Sequence, residues 1–129
     1  MAEFGVYKGE KIYKFFATTH KESEITPLKA IKGDINGDDK DDLIVVFNKK
    51  GSDSNSMVVV YSDSDALKLT KEVKAPKENI ELKIKDIDNT SPNEIIVSGS
   101  KNGNYGYGIF RLINNNLKDL FGENMKNCC

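Results

Sequence analysis

The sequence predicts an all-β chain, a partial β-propeller-like stack of small antiparallel sheets. Three observations predict it. Apolar residues come in short, strand-length runs bounded by Gly, Ser, Asn and Asp. No window sustains an apolar stripe at i, i+3, i+4 and i+7, so helix content is expected to be low. The chain also repeats itself. Lys32-Gly33-Asp34-Ile35-Asn36-Gly37, followed by Asp42-Leu43-Ile44-Val45, is echoed by Lys85-Asp86-Ile87-Asp88-Asn89, followed by Glu94-Ile95-Ile96-Val97. Asp34 and Asp86 stand 52 residues apart, about the length of one four-stranded propeller blade.

Taken in order, Val6-Tyr7 and Ile12 to Phe16 flank Lys8-Gly9-Glu10-Lys11, which reads as an N-terminal hairpin. Leu43 to Phe47 and Met57 to Tyr61 flank the polar connection Asn48 to Ser56 and read as paired strands. Leu67-Lys68-Leu69 and Leu82-Lys83-Ile84 alternate at period two, and the charged positions of Lys68 to Lys85 read as solvated strand faces. Ile95 to Val97, Tyr107 to Leu112 and Leu117 to Leu120 complete the strands. Two repeat units plus the hairpin make residues 1–121 one β-repeat domain, and 122–129 a mobile tail. A closed propeller usually has four or more blades. Two blades therefore predict an open stack, which homodimerisation would be one way to complete.

Composition narrows the function. The 129 residues carry 19 basic and 20 acidic side chains, so no net field recruits nucleic acid or anionic lipid. Arg111 is the sole arginine, which argues further against phosphate or base recognition. No run approaches the roughly 18 apolar residues of a membrane helix. The first twenty residues contain no continuous apolar segment of the secretory type. That leaves a cytosolic protein, or a mature form whose leader has been replaced. No G-x-S-x-G, P-loop or H-E-x-x-H is present. His20, the sole histidine, reads as a solvated loop residue. Tyr105-Gly106-Tyr107-Gly108 suggests a stacking platform, but without basic neighbours in sequence it reads better as a strand closely approached by backbone.

The first repeated loop carries chemistry. Numbered from Asp34, oxygen-bearing side chains fall at positions 1 (Asp34), 3 (Asn36), 5 (Asp38) and 9 (Asp42). Lys40, at position 7, offers its backbone carbonyl. Alternate residues of a tight loop point toward its centre, so the spacing gathers hard oxygen donors of the type Ca²⁺ takes. Without a cation, carboxylates so close would repel one another. An EF-hand is excluded because Val45 occupies the position of the bidentate Glu and Leu43 to Phe47 forms strand, not helix. The plain alternative is an Asx-rich turn. In the second loop Asp86, Asp88, Thr90 and Glu94 fall at the same positions, with Thr90 in place of the central acid. That loop is expected to keep the geometry of the first while binding an ion weakly or not at all.

Asp34, Asn36, Asp38, Asp42 and Leu43 resemble the D-x-[DN]-x-D-G-x-x-D-L loop of FG-GAP and VCBS repeats, with Asp39 where that pattern has Gly. The resemblance covers residues 25 to 121. It implies a Ca²⁺ ion closing a loop between two antiparallel strands of a blade. It also implies an extracytoplasmic protein, secreted or anchored at the surface.

Cys128 and Cys129 end the chain. Adjacent Cα atoms lie about 3.8 Å apart, closer than a relaxed disulfide wants, so the pair does not read as a structural staple. Two neighbouring thiols can chelate a soft, thiophilic metal or resolve each other's oxidation products, and an inert tail is the bland alternative. A body of this kind ending in Cys-Cys and a free carboxylate is similar to the Cys-Cys-COOH (seleno)proteins of the selenocysteine-assisted organometal system. That similarity implies capture of mercury-like metals or organometals. The sequence thus points to a Ca²⁺-stabilised binding module presenting a dithiol to a soft metal ion, an organometal or a thiol-redox partner. The competing reading is a surface adhesion or protein-interaction domain with incidental cysteines. A thiol oxidoreductase is weaker than either, since no neighbouring base or helix N-terminus activates the thiols.

Overall fold

A computed structural model describes residues 10–37, 40–63, 66–85 and 93–120. Among them are helix α1 (Lys11–Thr19), a short 3₁₀ turn at Glu22–Glu24 and nine strands. The strands are β1 (Ile25–Gly33), β2 (Asp42–Lys49), β3 (Asn55–Asp63), β4 (Ala66–Leu69), β5 (Val73–Ala75), β6 (Glu78–Lys85), β7 (Glu94–Lys101), β8 (Asn104–Ile113) and β9 (Asn116–Asp119).

The strands form two antiparallel meanders. One sheet runs β1-β2-β3, and β4 and β5 both pair with the far edge of β3. They are one fourth strand with a break at Thr70. There the Thr70 hydroxyl oxygen accepts the Val59 N–H at 3.0 Å and the Thr70 N–H returns a bond to the Val59 carbonyl. The second sheet runs β6-β7-β8-β9. Two four-stranded units are thus present, as the repeat predicts. β2 covers 42–49 and β7 covers 94–101, each position 52 further on.

The units stack front to back. One core joins Ile44, Val46, Met57, Val59 and Tyr61 of the first sheet to Leu82, Ile95, Val97 and Phe110 of the second. In the repeat, Ile95 and Val97 correspond to Leu43 and Val45, not to Ile44 and Val46. Opposite faces of the two units therefore meet, as successive blades do. Leu43, Val45, Phe47, Val58 and Val60 fill the other face of the first sheet and pack in a second core against Tyr13 and Phe16 of α1. This double coverage explains why Asp42 through Phe47 are all buried. Strands covered on both faces read as continuous apolar runs, as Leu43 to Phe47 does.

The expected N-terminal hairpin is not what the chain builds. Val6 and Tyr7 lie outside the described residues, and Ile12 to Phe16 are helical. Ile12, Phe15 and Phe16, with Tyr13 one turn before Phe16, line one side of α1. This apolar stripe is too short to stand out from a strand-length aromatic run. The helix stops where the His20 N–H bonds the Phe16 carbonyl and Lys21 turns to φ +56°. Its role is to cap the first sheet: the Phe16 ring meets Phe47 edge-on, centroids 5.3 Å apart. His20 is likewise no solvated loop residue. Its ring lies 5.0 Å from both Phe16 and Phe47, its side chain is 14% exposed, and Nε2 stands 3.5 Å from a Glu72 carboxylate oxygen.

Candidate metal loop and its degenerate twin

The first loop leaves β1 at Gly33 and re-enters at Asp42, and these two residues are partners in the β1–β2 ladder. Ladder pairing therefore brings positions 1 and 9 of the loop to the same place. Asp34 folds the chain around its own carboxylate, whose Oδ1 accepts the N–H of Asn36 at 3.2 Å and of Gly37 at 2.9 Å. Gly37 takes φ +81°, which Gly adopts without steric cost. Asp42 is fully buried, and its Oδ2 accepts the Ile35 N–H at 2.9 Å. Asn36 donates through Nδ2 to the Ser62 carbonyl at 3.1 Å, tying the loop to the end of β3.

Asp34, Asn36 and Asp42 are thus collected by one loop, and Lys40 is exposed on it. Asp38 lies outside the described residues. Among the described residues no three His, Cys, Asp or Glu side chains converge closely enough to hold an ion. The donor set fits a hard divalent cation in kind: oxygens only, from side chains and one main-chain carbonyl of a loop shorter than ten residues. Asp34, Asn36, Asp38 and Asp42, with the Lys40 carbonyl, are the groups that would hold it. Bound Ca²⁺ would supply the positive charge that lets these oxygens share one space.

The second loop differs in the part that can be described. Asp86, Asp88 and Thr90 lie outside the described residues. Glu94, its position-9 acid, is 1% exposed and engaged by Arg111, whose Nε and Nη2 donate to the same Oε2 at 3.0 and 2.8 Å. A guanidinium, permanently charged, stands beside the acid that a metal would need. In the sequence Arg111 stands out only as the sole arginine, because a partner 17 positions away on another strand leaves no local signal. The two loops are bound together where Asn93 Nδ2 donates to the Asp34 carbonyl at 3.0 Å.

Beside the loops, Tyr61 donates its hydroxyl hydrogen to Asn115 Oδ1, linking the sheets. Burial pushes the Tyr61 hydroxyl above the ordinary phenol value; Lys68 opposes the shift and Asp63 adds to it. At the opposite end, a cleft of about 640 Å³ is lined by His20, Lys21, Glu24, Lys49, Lys50 and Glu72. In it Lys49 Nζ pairs with Glu72 Oε1 at 2.6 Å. Cys128 and Cys129 lie outside the described residues. No helix among the described residues is long and apolar enough to cross a membrane.

Fold and loops together define a class, an all-β protein of two stacked four-stranded antiparallel units joined through Asx-rich loops. No family model, curated protein or solved structure matches the chain.

Proposed function

We propose that the chain is an extracytoplasmic binding module, a β-repeat scaffold stiffened by Ca²⁺ in the 34–42 loop. It presents the Cys128-Cys129 dithiol to a soft metal, an organometal or a thiol-redox partner. The observation that supports the calcium reading best is the pairing of Gly33 with Asp42, which closes the chain between Asp34 and Asp42 into one short loop. The Arg111–Glu94 pair supports one ion in this scaffold, not two. The dithiol reading rests on chemistry alone: adjacent thiolates suit thiophilic ions, and the oxygen loop does not compete for them.

Thermal melts with Ca²⁺ and with chelator test the first half. A ligand that binds only the folded state stabilises it by about 2.7 kcal/mol at one hundred times its Kd. Chelation should therefore lower the midpoint by roughly 10 °C, taking about 4 °C per kcal/mol for this chain length. Asp38→Ala should remove the difference. A melt of metal-free protein indifferent to Ca²⁺ refutes the reading. Titration with Hg²⁺ under a competing monothiol tests the second half: Cys128→Ser and Cys129→Ser should each lose most of the affinity.

A surface-interaction domain with idle cysteines is the second reading. It is favoured by one observation: Tyr105, Tyr107 and Ile113, the exposed large hydrophobic residues among those described, all lie on one face of β8.

A further inference from the structure

Among the described residues, the front-to-back stack leaves one blade face with no second sheet or helix packed on it. In the first sheet, the face bearing Ile44, Val46, Met57 and Val59 is covered by the second sheet. The corresponding face of the second sheet carries Ile96 and Ser98 on β7, opposite Ile109 and Tyr107 on β8. Where the covered face pairs Val46 with Met57, the outer face pairs Ser98 with Tyr107. The next pair outward is Ser100 with Tyr105. Tyr105 is 66% exposed and Tyr107 37%. Side chains two apart on a strand stand about 7 Å apart on the same face, so the two tyrosines present an extended aromatic surface on one face of β8.

A depression of about 390 Å³ opens beside Tyr105, lined by Asn79, Glu81, Ser98 and Ser100 with Gly99 and Gly103. It is built by a bulge. The β6–β7 register slips between Glu78 and Glu81, and Asn79 sits at φ +53°. Bulges of this kind re-aim side chains. Here Asn79 turns over the sheet and donates to the Ser100 hydroxyl at 3.0 Å. Ser100 in turn contacts Glu78 Oε1 at 3.4 Å, and Glu78 accepts the Asn102 N–H at 3.1 Å. The rim is thus a chain of amide, hydroxyl and carboxylate groups beside an exposed aromatic face.

We infer that this platform binds a neutral saccharide, with a pyranose ring stacked on Tyr105 and its hydroxyls shared among Asn79, Glu81 and Ser100. The C–H face of a sugar ring is weakly positive and apolar and suits the negative face of a tyrosine. Its hydroxyls are donors, and carboxylates and amide oxygens are the acceptors they seek. A few convergent polar groups beside an apolar wall is the usual composition of a ligand site. Charge decides against nucleic acid. Glu78 and Glu81 flank the tyrosines, whereas Lys83 and Lys118 lie further along the face, opposite Ile96 and Arg111. A phosphate backbone laid across the rings would meet carboxylates first. The site involves neither the 34–42 loop nor the terminal cysteines, so it stands or falls apart from them.

The test uses the full chain. Neutral oligosaccharides, among them cellotetraose and mannotetraose, are screened by saturation-transfer NMR, and any hit is titrated through tyrosine fluorescence, since the chain has no tryptophan. Tyr105→Ala should weaken binding about tenfold, the loss of one aromatic contact. Tyr105→Phe should stay within about threefold, and Glu81→Gln should fall between, as the loss of one charged acceptor. All three substitutions are at exposed strand positions and should leave the thermal midpoint unchanged. The inference is overturned if no neutral oligosaccharide gives a signal, or if Tyr105→Ala binds as tightly as the parent. It is equally overturned if the tyrosines bind oligothymidine in preference to every sugar.

Discussion

Replacing Gly99 with alanine probes the joint between the two units. Gly99 lies on β7, under the crossing from the first sheet to the second. A Cβ built there meets Pro76 Cβ at 2.4 Å, the Glu78 carbonyl oxygen at 2.6 Å and Pro76 Cγ at 3.0 Å. Comfortable carbon contacts fall near 3.5–4.0 Å, so the methyl overlaps two anchored neighbours by about 1 Å. Neither can step aside alone. Pro76 is a closed ring whose carbonyl accepts Asn55 Nδ2 at 2.8 Å, and the Glu78 carbonyl belongs to the main chain at the start of the bulge. Overpacking costs about 1–3 kcal/mol. With both obstacles fixed, Gly99→Ala should fall in the upper half, about 2–3 kcal/mol, lowering the melting midpoint by roughly 8–12 °C at about 4 °C per kcal/mol. Circular dichroism melts, with urea unfolding to confirm an unchanged m-value, measure this. Gly103→Ala is the control. Gly103 has φ +82° and nothing within 4 Å, so it should lose only the left-handed penalty of about 1 kcal/mol. If Gly99→Ala falls by less than its control, the close approach of Pro76 and the Glu78 carbonyl to β7 is wrong.

Three further substitutions test other joints. Phe16→Ala removes a fully buried ring from between α1 and Phe47. It should cost about 3–5 kcal/mol, whereas a wild-type melt would mean that α1 does not cap the sheet. Arg111→Met leaves Glu94 a buried charge without its guanidinium. It should cost about 3–5 kcal/mol, with much of that recovered by adding Glu94→Leu; an unrecovered double mutant would refute the pairing. Tyr61→Phe deletes the bond to Asn115 and should cost about 1 kcal/mol at neutral pH. It should also flatten the alkaline limb. Because burial raises the Tyr61 value in the folded state, the unfolded chain ionises first, from its ordinary value of 10.0. The parent therefore loses stability as pH climbs past 10.0 toward the raised folded value. A pH profile of the phenylalanine variant that tracks the parent above that point would rule the contribution out.

What the sequence by itself determined was local in origin. Period-two alternation, unbroken Val and Ile runs and turn residues located the strands from Leu43 onward, because strand formation and hairpin chemistry depend on near neighbours. The 52-residue echo carried the next level, two units of similar build, since a repeat is a long-range fact written in local text. The connection from Asp34 to Asp42 was legible as a tight Asx-rich loop for the same reason: its residues join two paired strands. Ile12 to Phe16 failed this test. Four apolar or aromatic residues around Lys14 satisfy a strand and about one and a half turns of helix alike, and the decision went to packing, where Tyr13 and Phe16 share the core that holds Phe47. His20 was hidden for a kindred reason, since its burial comes from two rings, one of them 27 positions away. Only the tertiary structure decided that the units meet front to back, that Arg111 occupies the acid of the second loop, and that Tyr105 and Tyr107 face outward beside Asn79. Each of these depends on which face of a sheet is covered. Identical alternation serves a covered face and an open one, and the choice is made by whatever packs against it.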